Sequence, residues 1–533
     1  MNMATTGYAH QLTALERSVG RNQFGMFMEQ GTGKCWVTLA EFCREYGGKV
    51  SSLVVVAPKG VYLNWKDEIE LHLEGGVEGV DLVIWSSYRL KADNAVLARH
   101  LTTTAVVPRV LLINVETLSV KKKNVKKNIG VPDVAKMSAV EYLELYLEAN
   151  QSLLVVDEST TIKYHKSART KNVVQISPLA RMRRILSGFP VPKSPVDLWG
   201  QCLFLGRGLL PYGSFRAFEA AHVIKETVTF GPRAFKKVVG FKNIDVLTKI
   251  TDEFTYRVLK SECLDLPLKV YESRSVELTP EQVQMYNTLA AKFQAEVASG
   301  EIVTAIDAMT RSTRLHQIVC GHTVVDNDEG EPGDIIDLPS NRYGALKEWI
   351  DSNDSAGIIW AGYRHDLKTL VINLKEDYGD DSVVEYWGAT SKEDREIARK
   401  KFQAGEVRFF VGNPHVAGMG LTLTKAEWAV YYSNSHNLEH RVQSEDRCHR
   451  IGLKHSVTYV DLIARGTVDE RILAGLRLKK EVGGTVLGDN PKEWNTWFAP
   501  VGKGMIAKHI RDDKTITPAS GALASWAKRK VRH

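Results

Sequence analysis

The sequence predicts an α/β protein: two parallel-sheet lobes in tandem, with a helical insertion between them. Short aliphatic runs bounded by turn residues alternate with helical stretches, and that alternation argues for parallel layers. The runs fall into two sets, at about residues 25–190 and 356–465. A more helical, basic region with aromatic punctuation lies between them, from 198 to about 342. At roughly 150 residues per domain, the 533-residue chain has room for three or four units. The expected division is 1–198, 199–342, 343–480 and a C-terminal extension, 481–533.

In the first set, residues 53–57 (LVVVA), 111–114 (LLIN), 153–156 (LLVV) and 184–186 (RIL) read as strands. In the second set, 358–361 (IIWA), 407–412 (VRFFVG) and 429–433 (AVYYS) do so. Runs this continuous suit strands buried on both faces. A helix is expected over 36–46. The acidic, Gly- and Pro-containing stretch 326–337 reads as a surface loop. Trp199, Phe204, Tyr212, Phe215 and Phe218 read as packing of the insertion. The basic run 121–127 (KKKNVKK) and the tail 528–532 (KRKVR) suit a nucleic-acid backbone or a solvated lysine face equally.

Composition excludes several classes. Hydrophobic residues at 44% and charged residues at 25% match a globular chain and exclude wholesale disorder, collagen and coiled-coil rods. No apolar run approaches the ~18 residues of a membrane span. The polar first eleven residues lack a signal core, so a cytoplasmic, non-secreted protein is expected. The six cysteines are scattered and none has C-x-x-C spacing, which argues against disulfides and a zinc knuckle. The net charge, 70 − 63 = +7, is a weak pointer to a polyanionic partner.

Two motifs carry chemistry. Residues 25–34 (GMFMEQGTGK) precede the expected helix. Gly31 and Gly33 let backbone N–H groups face one point, the helix N-terminus adds partial positive charge, and Lys34 reaches the β/γ-phosphates of a nucleotide. The alternative is an ordinary glycine-rich turn. Met28 stands at the first glycine position of the strict pattern, and Cys35 at its Ser/Thr position. A hydroxyl there ligates Mg²⁺, for which a thiol is a poor substitute. Later, Asp157 and Glu158 follow the run 153–156, at the strand end where open α/β sheets place ligands. Asp157 can hold Mg²⁺, and Glu158 can polarise an attacking water. Two solvated acids are the alternative.

These residues resemble superfamily 2 helicases, and among them the Swi/Snf-type ATPases, over roughly residues 7–475. Residues 28–35 look like motif I and His10-Gln11 like the Q motif, whose glutamine reads adenine in the family. Residues 53–69 resemble motif Ia, 113–119 motif Ib and 157–160 (DEST) motif II. Residues 186–190 (LSGFP) with Asp197-Leu198-Trp199 resemble motif III, with Phe189 in place of the usual threonine. In the second lobe, 357–370 resembles motif IV, 417–426 (AGMGLTLTKA) motif V and 443–452 (QSEDRCHRIG) motif VI.

The resemblance implies two RecA-like lobes, with ATP and Mg²⁺ as cofactors. The implied nucleotide set is Gln11, Glu29, Gly31, Thr32, Gly33, Lys34, Cys35, Asp157 and Gly420, with Asp157 and Cys35 at the metal. The catalytic set is Lys34, Glu158, Arg447 and Arg450. The two arginines, three apart, would share one helical face and act as fingers on the γ-phosphate. Lys59, Thr117, Thr390, Ser391 and Thr422 would contact nucleic-acid phosphates without reading bases. The implied function is ATP-driven, sequence-independent translocation on DNA, with duplex favoured over single strands. A strand-separating or branch-migrating helicase shares every motif. A hydrolysis-impaired, ATP-gated clamp is the alternative from another class. A monomer of bacterial or phage type is expected, and a protein partner stays open.

Overall fold

The computed structural model describes residues 1–59, 61–86, 91–120, 133–230, 233–298, 305–326, 332–417 and 421–487. The chain gathers into two compact units. One takes Met1–His222, Lys242–Asp265 and the described end from Val482; the other takes Val223–Phe241 and Leu266–Glu481. The stretch 199–342 is thus shared between the units.

Along the chain run β1 (Gln23–Met28), β2 (Ser52–Ala57), β3 (Asp81–Trp85), β4 (Arg109–Asn114), β5 (Ser152–Val156) and β6 (Met182–Leu186). A hairpin follows, β7 (Val223–Phe230) and β8 (Arg233–Phe241), then β9 (Thr255–Val258). The first unit's sheet has the order β3-β4-β2-β5-β6-β1-β9, with every pairing parallel. Parallel neighbours need crossovers, and helices such as Lys34–Glu45 and Asn64–His72 supply them. Alternate residues of each central strand enter opposite cores. Val54, Val56, Leu111, Ile113, Leu154 and Val156 pack on one face; Leu53, Val55, Val110, Leu112, Leu153 and Val155 pack on the other. Each such side chain contributes about 1.5–3 kcal/mol by burial.

The second unit holds β10 (Lys269–Val276), a hairpin of β11 (His322–Asp326) and β12 (Pro332–Asp337), and β13 (Gly357–Trp360). It continues with β14 (Val383–Tyr386), β15 (Phe409–Gly412), β16 (Trp428–Tyr431) and β17 (Val457–Ala464). Its sheet order is β10-β17-β16-β13-β15-β14, again parallel throughout. It too is two-faced, with Ile359, Val411 and Val430 on one core and Ile358, Phe410 and Ala429 on the other.

Every strand expected from an aliphatic run is present. The differences lie elsewhere. The expected loop 326–337 carries β12, which pairs antiparallel with β11 because Ile335 and Ile336 supply ladder positions opposite Val324 and Thr323. The inter-lobe region also contributes strands: β9 and β10 each complete a sheet edge. Trp199, Phe204 and Phe218 are buried, with Trp199 stacked on Phe218 at 5.2 Å. Among the described residues, no helix is long and apolar enough to cross a membrane, and the six cysteines are unbridged. The basic run 121–127 and the tail 528–532 lie outside the described residues.

A fully buried ion pair ties the first sheet to the helix Lys34–Glu45. Arg184 on β6 forks onto Glu41, both bonds at 2.7 Å, with each side chain 0% exposed. Removing one partner strands the other charge. Glu41→Ala is expected to lower the stability of the first unit by about 3–5 kcal/mol in denaturant unfolding. A loss under about 1 kcal/mol would contradict that reading.

Candidate active site

β1 ends at Met28, and the chain turns through 29–33 before the helix Lys34–Glu45. Gly31 and Gly33 have φ of 79° and 84°, a region that costs other L residues dearly. At Gly33 the space is also closed: a Cβ would fall 1.9 Å from Gln11 Nε2. Gln11 is buried over the loop. Its Nε2 donates to the Thr32 carbonyl at 3.2 Å, and its Oε1 accepts from the Tyr8 N–H at 2.9 Å. Each end of this amide thus makes one bond within the protein, and adenine reading is what the resemblance implies for it. Thr32 Oγ1 donates to the Glu29 carbonyl at 2.7 Å, and Glu29 Oε2 accepts from the Lys260 N–H at 2.8 Å. Lys34 is 9% exposed, and its Nζ donates to the Met28 carbonyl at 3.1 Å.

Asp157 follows β5, two strands from β1 in the sheet. Its Oδ2 accepts from Trp65 Nε1 at 3.0 Å and its Oδ1 from the Glu158 N–H at 2.8 Å. Glu158 sits at φ 47°, ψ 59°. A non-glycine residue there costs roughly 1–2 kcal/mol, and such strain concentrates at functional sites. Burial raises the Asp157 pKa above the ordinary carboxylate value. The Lys34 charge and the Trp65 N–H oppose the rise, and Glu68 adds to it. Burial, then Glu68 and Asp157, also push the Cys35 thiol well up, against Lys34. Cys35 thus presents a neutral thiol, a poor ligand for a hard cation.

Among the described residues, no three His, Cys, Asp or Glu side chains are arranged to hold a metal alone. Magnesium needs less: one or two carboxylates, with water and phosphate oxygens completing its shell. Asp157 fits that role, because a cation beside it relieves a charge that burial disfavours.

Several neighbours of these residues carry no signal of their own in the sequence. Trp65 was visible only as part of a motif, and its bond to Asp157 has no local signal. Glu68, one helical turn on, was missed. Arg257 on β9 donates from Nη1 to the Phe27 and Gly188 carbonyls, both at 3.0 Å, and so joins β1 to the loop after β6.

Of the expected phosphate contacts in the first unit, Lys59 and Thr117 come to adjacent strand ends. The Lys59 N–H donates to Glu116 Oε2 at 3.2 Å, and Thr117 Oγ1 to the Asn114 carbonyl at 2.6 Å.

In the second unit, Thr390 Oγ1 accepts from the Trp387 N–H at 3.2 Å. Ser391 caps the helix Lys392–Ala404, accepting from the Asp394 N–H at 3.0 Å. Both hydroxyl oxygens thus accept a local N–H. Gly420 lies outside the described residues. The helix Leu438–Glu445 stops before Arg447, so Arg447 and Arg450 do not share the helical face expected of them. The Arg447 carbonyl accepts from the Leu423 N–H at 2.9 Å instead of continuing the helix. The two guanidiniums still converge on one segment: Arg447 Nη1 donates to the Leu421 carbonyl and Arg450 Nη1 to Thr422 Oγ1, both at 3.2 Å. Beneath them, Arg441 bonds Glu445 Oε1 and Asn434 Oδ1 at 2.8 Å, pairs with Asp461 and lies 3.5 Å over the Tyr431 ring. Burial works against the Glu445 carboxylate, yet Lys269 and Arg441 hold its pKa below the usual value.

A buried carboxylate with a raised pKa lowers stability once ionised. Asp157→Asn should therefore raise the unfolding midpoint at pH 7. The gap should close as pH falls toward the ordinary carboxylate range, where Asp157 itself becomes neutral. A lower midpoint for Asp157→Asn at pH 7 would contradict the assigned environment.

Against known families, residues 12–324 match the SNF2-related domain and residues 341–452 the helicase conserved C-terminal domain. The chain is 24% identical over 478 residues to a putative ATP-dependent helicase/translocase, YwqA, of Bacillus subtilis, covering 86% of this chain and 46% of that protein. It is 27% identical over 354 residues to the mouse (Mus musculus) DNA annealing helicase and endonuclease ZRANB3, covering 63% of this chain and 30% of that protein. The chain thus spans less than half the length of these relatives. A solved SWI2/SNF2 ATPase core of Sulfolobus solfataricus in complex with dsDNA aligns over 93% of this chain and 97% of its own, at 20% identity and a TM-score of 0.37. With more than half of its length matched by one family, this chain belongs to the SNF2-related proteins of helicase superfamily 2.

Proposed function

We propose that the protein is a nucleic-acid-dependent ATPase that moves along DNA, duplex in preference to single strands, without reading sequence. The observation that carries this reading is the placement of Lys34 and Asp157, close enough for the lysine charge to act on the carboxylate, at the C-terminal edge of one parallel sheet. A glycine loop and a helix N-terminus stand beside them, the arrangement that cradles a nucleotide's phosphates.

In this reading Lys34 binds the β/γ-phosphates, Asp157 holds Mg²⁺, and Glu158 orients the attacking water as general base. The metal, when bound, neutralises charge on the phosphate oxygens. Arg447 and Arg450 supply the planar cations that suit a phosphoryl transition state. The ATP-binding lobe centres on residues 1–198 and the second lobe on 343–480. Lys59, Thr117, Thr390, Ser391 and Thr422 lie among the backbone contacts. A monomer acting in a bacterial or phage-infected cytoplasm completes the proposal.

The neutral Cys35 thiol favours one second reading, an ATP-gated clamp with impaired hydrolysis. Active-site variants separate the two. Lys34→Ala should weaken nucleotide binding. Glu158→Gln should keep binding but stop turnover, and Arg450→Ala should cost about 10³-fold in turnover. Turnover in Glu158→Gln equal to the parent chain would remove the general-base assignment. A loss of tenfold or less in Arg450→Ala would make that arginine structural.

A further inference from the structure

In the first unit, the turn after Glu158 and the helix Ala168–Ile176 enclose an open cavity of about 270 Å³. Ser119, Thr161, Lys163, Tyr164, Ser167 and Arg169 line it, and among the described residues no acidic side chain does. Residues 163–171 read KYHKSARTK, four cations in nine positions with no carboxylate. The folded turn gives this run a definite shape. His165 stacks on Phe215 at 3.9 Å. Arg169 Nε donates to Ser119 Oγ at 3.3 Å, and its Nη1 to the Thr161 carbonyl at 3.5 Å. The guanidinium is thereby held across the mouth. The Thr161 hydroxyl is buried and has no hydrogen-bond partner among the described residues. Tyr164 stands 61% exposed at the rim.

We infer that this cavity is an anchor for a nucleic-acid backbone, taking one phosphodiester group between Lys163 and Arg169. Two cations, hydroxyl donors and the N-terminus of a helix are the groups that hold phosphate without reading bases. The exposed tyrosine ring offers a sugar or base a face to lie on. The cavity opens beside Ser119, at the end of the turn Val115–Ser119 that also carries Thr117. A strand held at Thr117 would thus meet the cavity next. The inference rests on the proposed nucleic-acid reading and adds a contact that the motifs did not mark.

The test is equilibrium binding of a fluorescently labelled duplex of mixed sequence, by anisotropy, across a range of NaCl and without ATP. Lys163→Gln and Arg169→Gln should each weaken binding by about tenfold at fixed salt. Each should also flatten the slope of log K against log salt by about 0.9, one phosphate contact. Arg169→Lys should keep the slope. An unchanged slope and affinity in both glutamine variants would overturn the assignment. If Arg169→Gln fails to fold, Lys163→Gln alone decides. Inorganic phosphate, titrated at constant ionic strength, separates the sources: phosphate binding that the variants lose while their DNA slope stays put would also overturn it. Because no ATP is present, a chain that binds DNA but never hydrolyses ATP fails the motor reading and leaves this test intact.

Discussion

Burying Lys34 and Asp157 at one edge of a parallel sheet costs free energy that the rest of the first unit must offset. Neither charge is solvated, and burial outweighs their mutual attraction at the carboxylate, whose pKa stays raised. The surroundings accordingly hold both in place. The Met28 carbonyl takes the ammonium, Trp65 and the Glu158 N–H take the carboxylate, and Gln11 closes over the glycine loop. Beneath them the sheet is buried on both faces, so the strand ends cannot shift independently. In the proposed function, a ligand that brings phosphate to the lysine and a cation to the aspartate would relieve that cost.

The second unit solves a different problem. Its arginines arrive after a helix has ended, so their aim depends on what lies behind. Arg441, Glu445 and Asp461 form a buried charge network, capped by Tyr431 and by the Tyr271 hydroxyl at 2.8 Å from Glu445. Such networks hold well only when every member is satisfied, and this one fixes the chain immediately ahead of Arg447.

Much of this was legible in the sequence for a physical reason. Buried parallel strands need continuous aliphatic runs, so 53–57, 111–114 and 153–156 announce themselves. Phosphate chemistry needs glycine beside lysine and paired acids at a strand end, so Lys34, Asp157 and Glu158 do too. β1 (QFGMFM) was harder to read because a glycine and two methionines dilute its pattern. β9 and β10 lie in a stretch whose composition reads as helical and basic. The helix ends at Glu445, and the Arg447 carbonyl beyond it accepts from Leu423, distant in sequence. The Trp65–Asp157 bond joins residues 92 apart, and the hydroxyls of Thr390 and Ser391 each accept a local N–H that a motif cannot reveal. Local spacing carries the chemistry; tertiary contacts decide which atoms stay available for it.

The most direct test of the central claim is steady-state ATP hydrolysis with Mg²⁺, measured alone and then with single-stranded DNA, duplex DNA or RNA. Slow turnover alone with strong stimulation by duplex DNA is the predicted result. Absence of turnover under every condition would contradict it, and would show that a buried lysine and aspartate at this sheet edge do not make a working phosphate site when a neutral thiol stands at position 35.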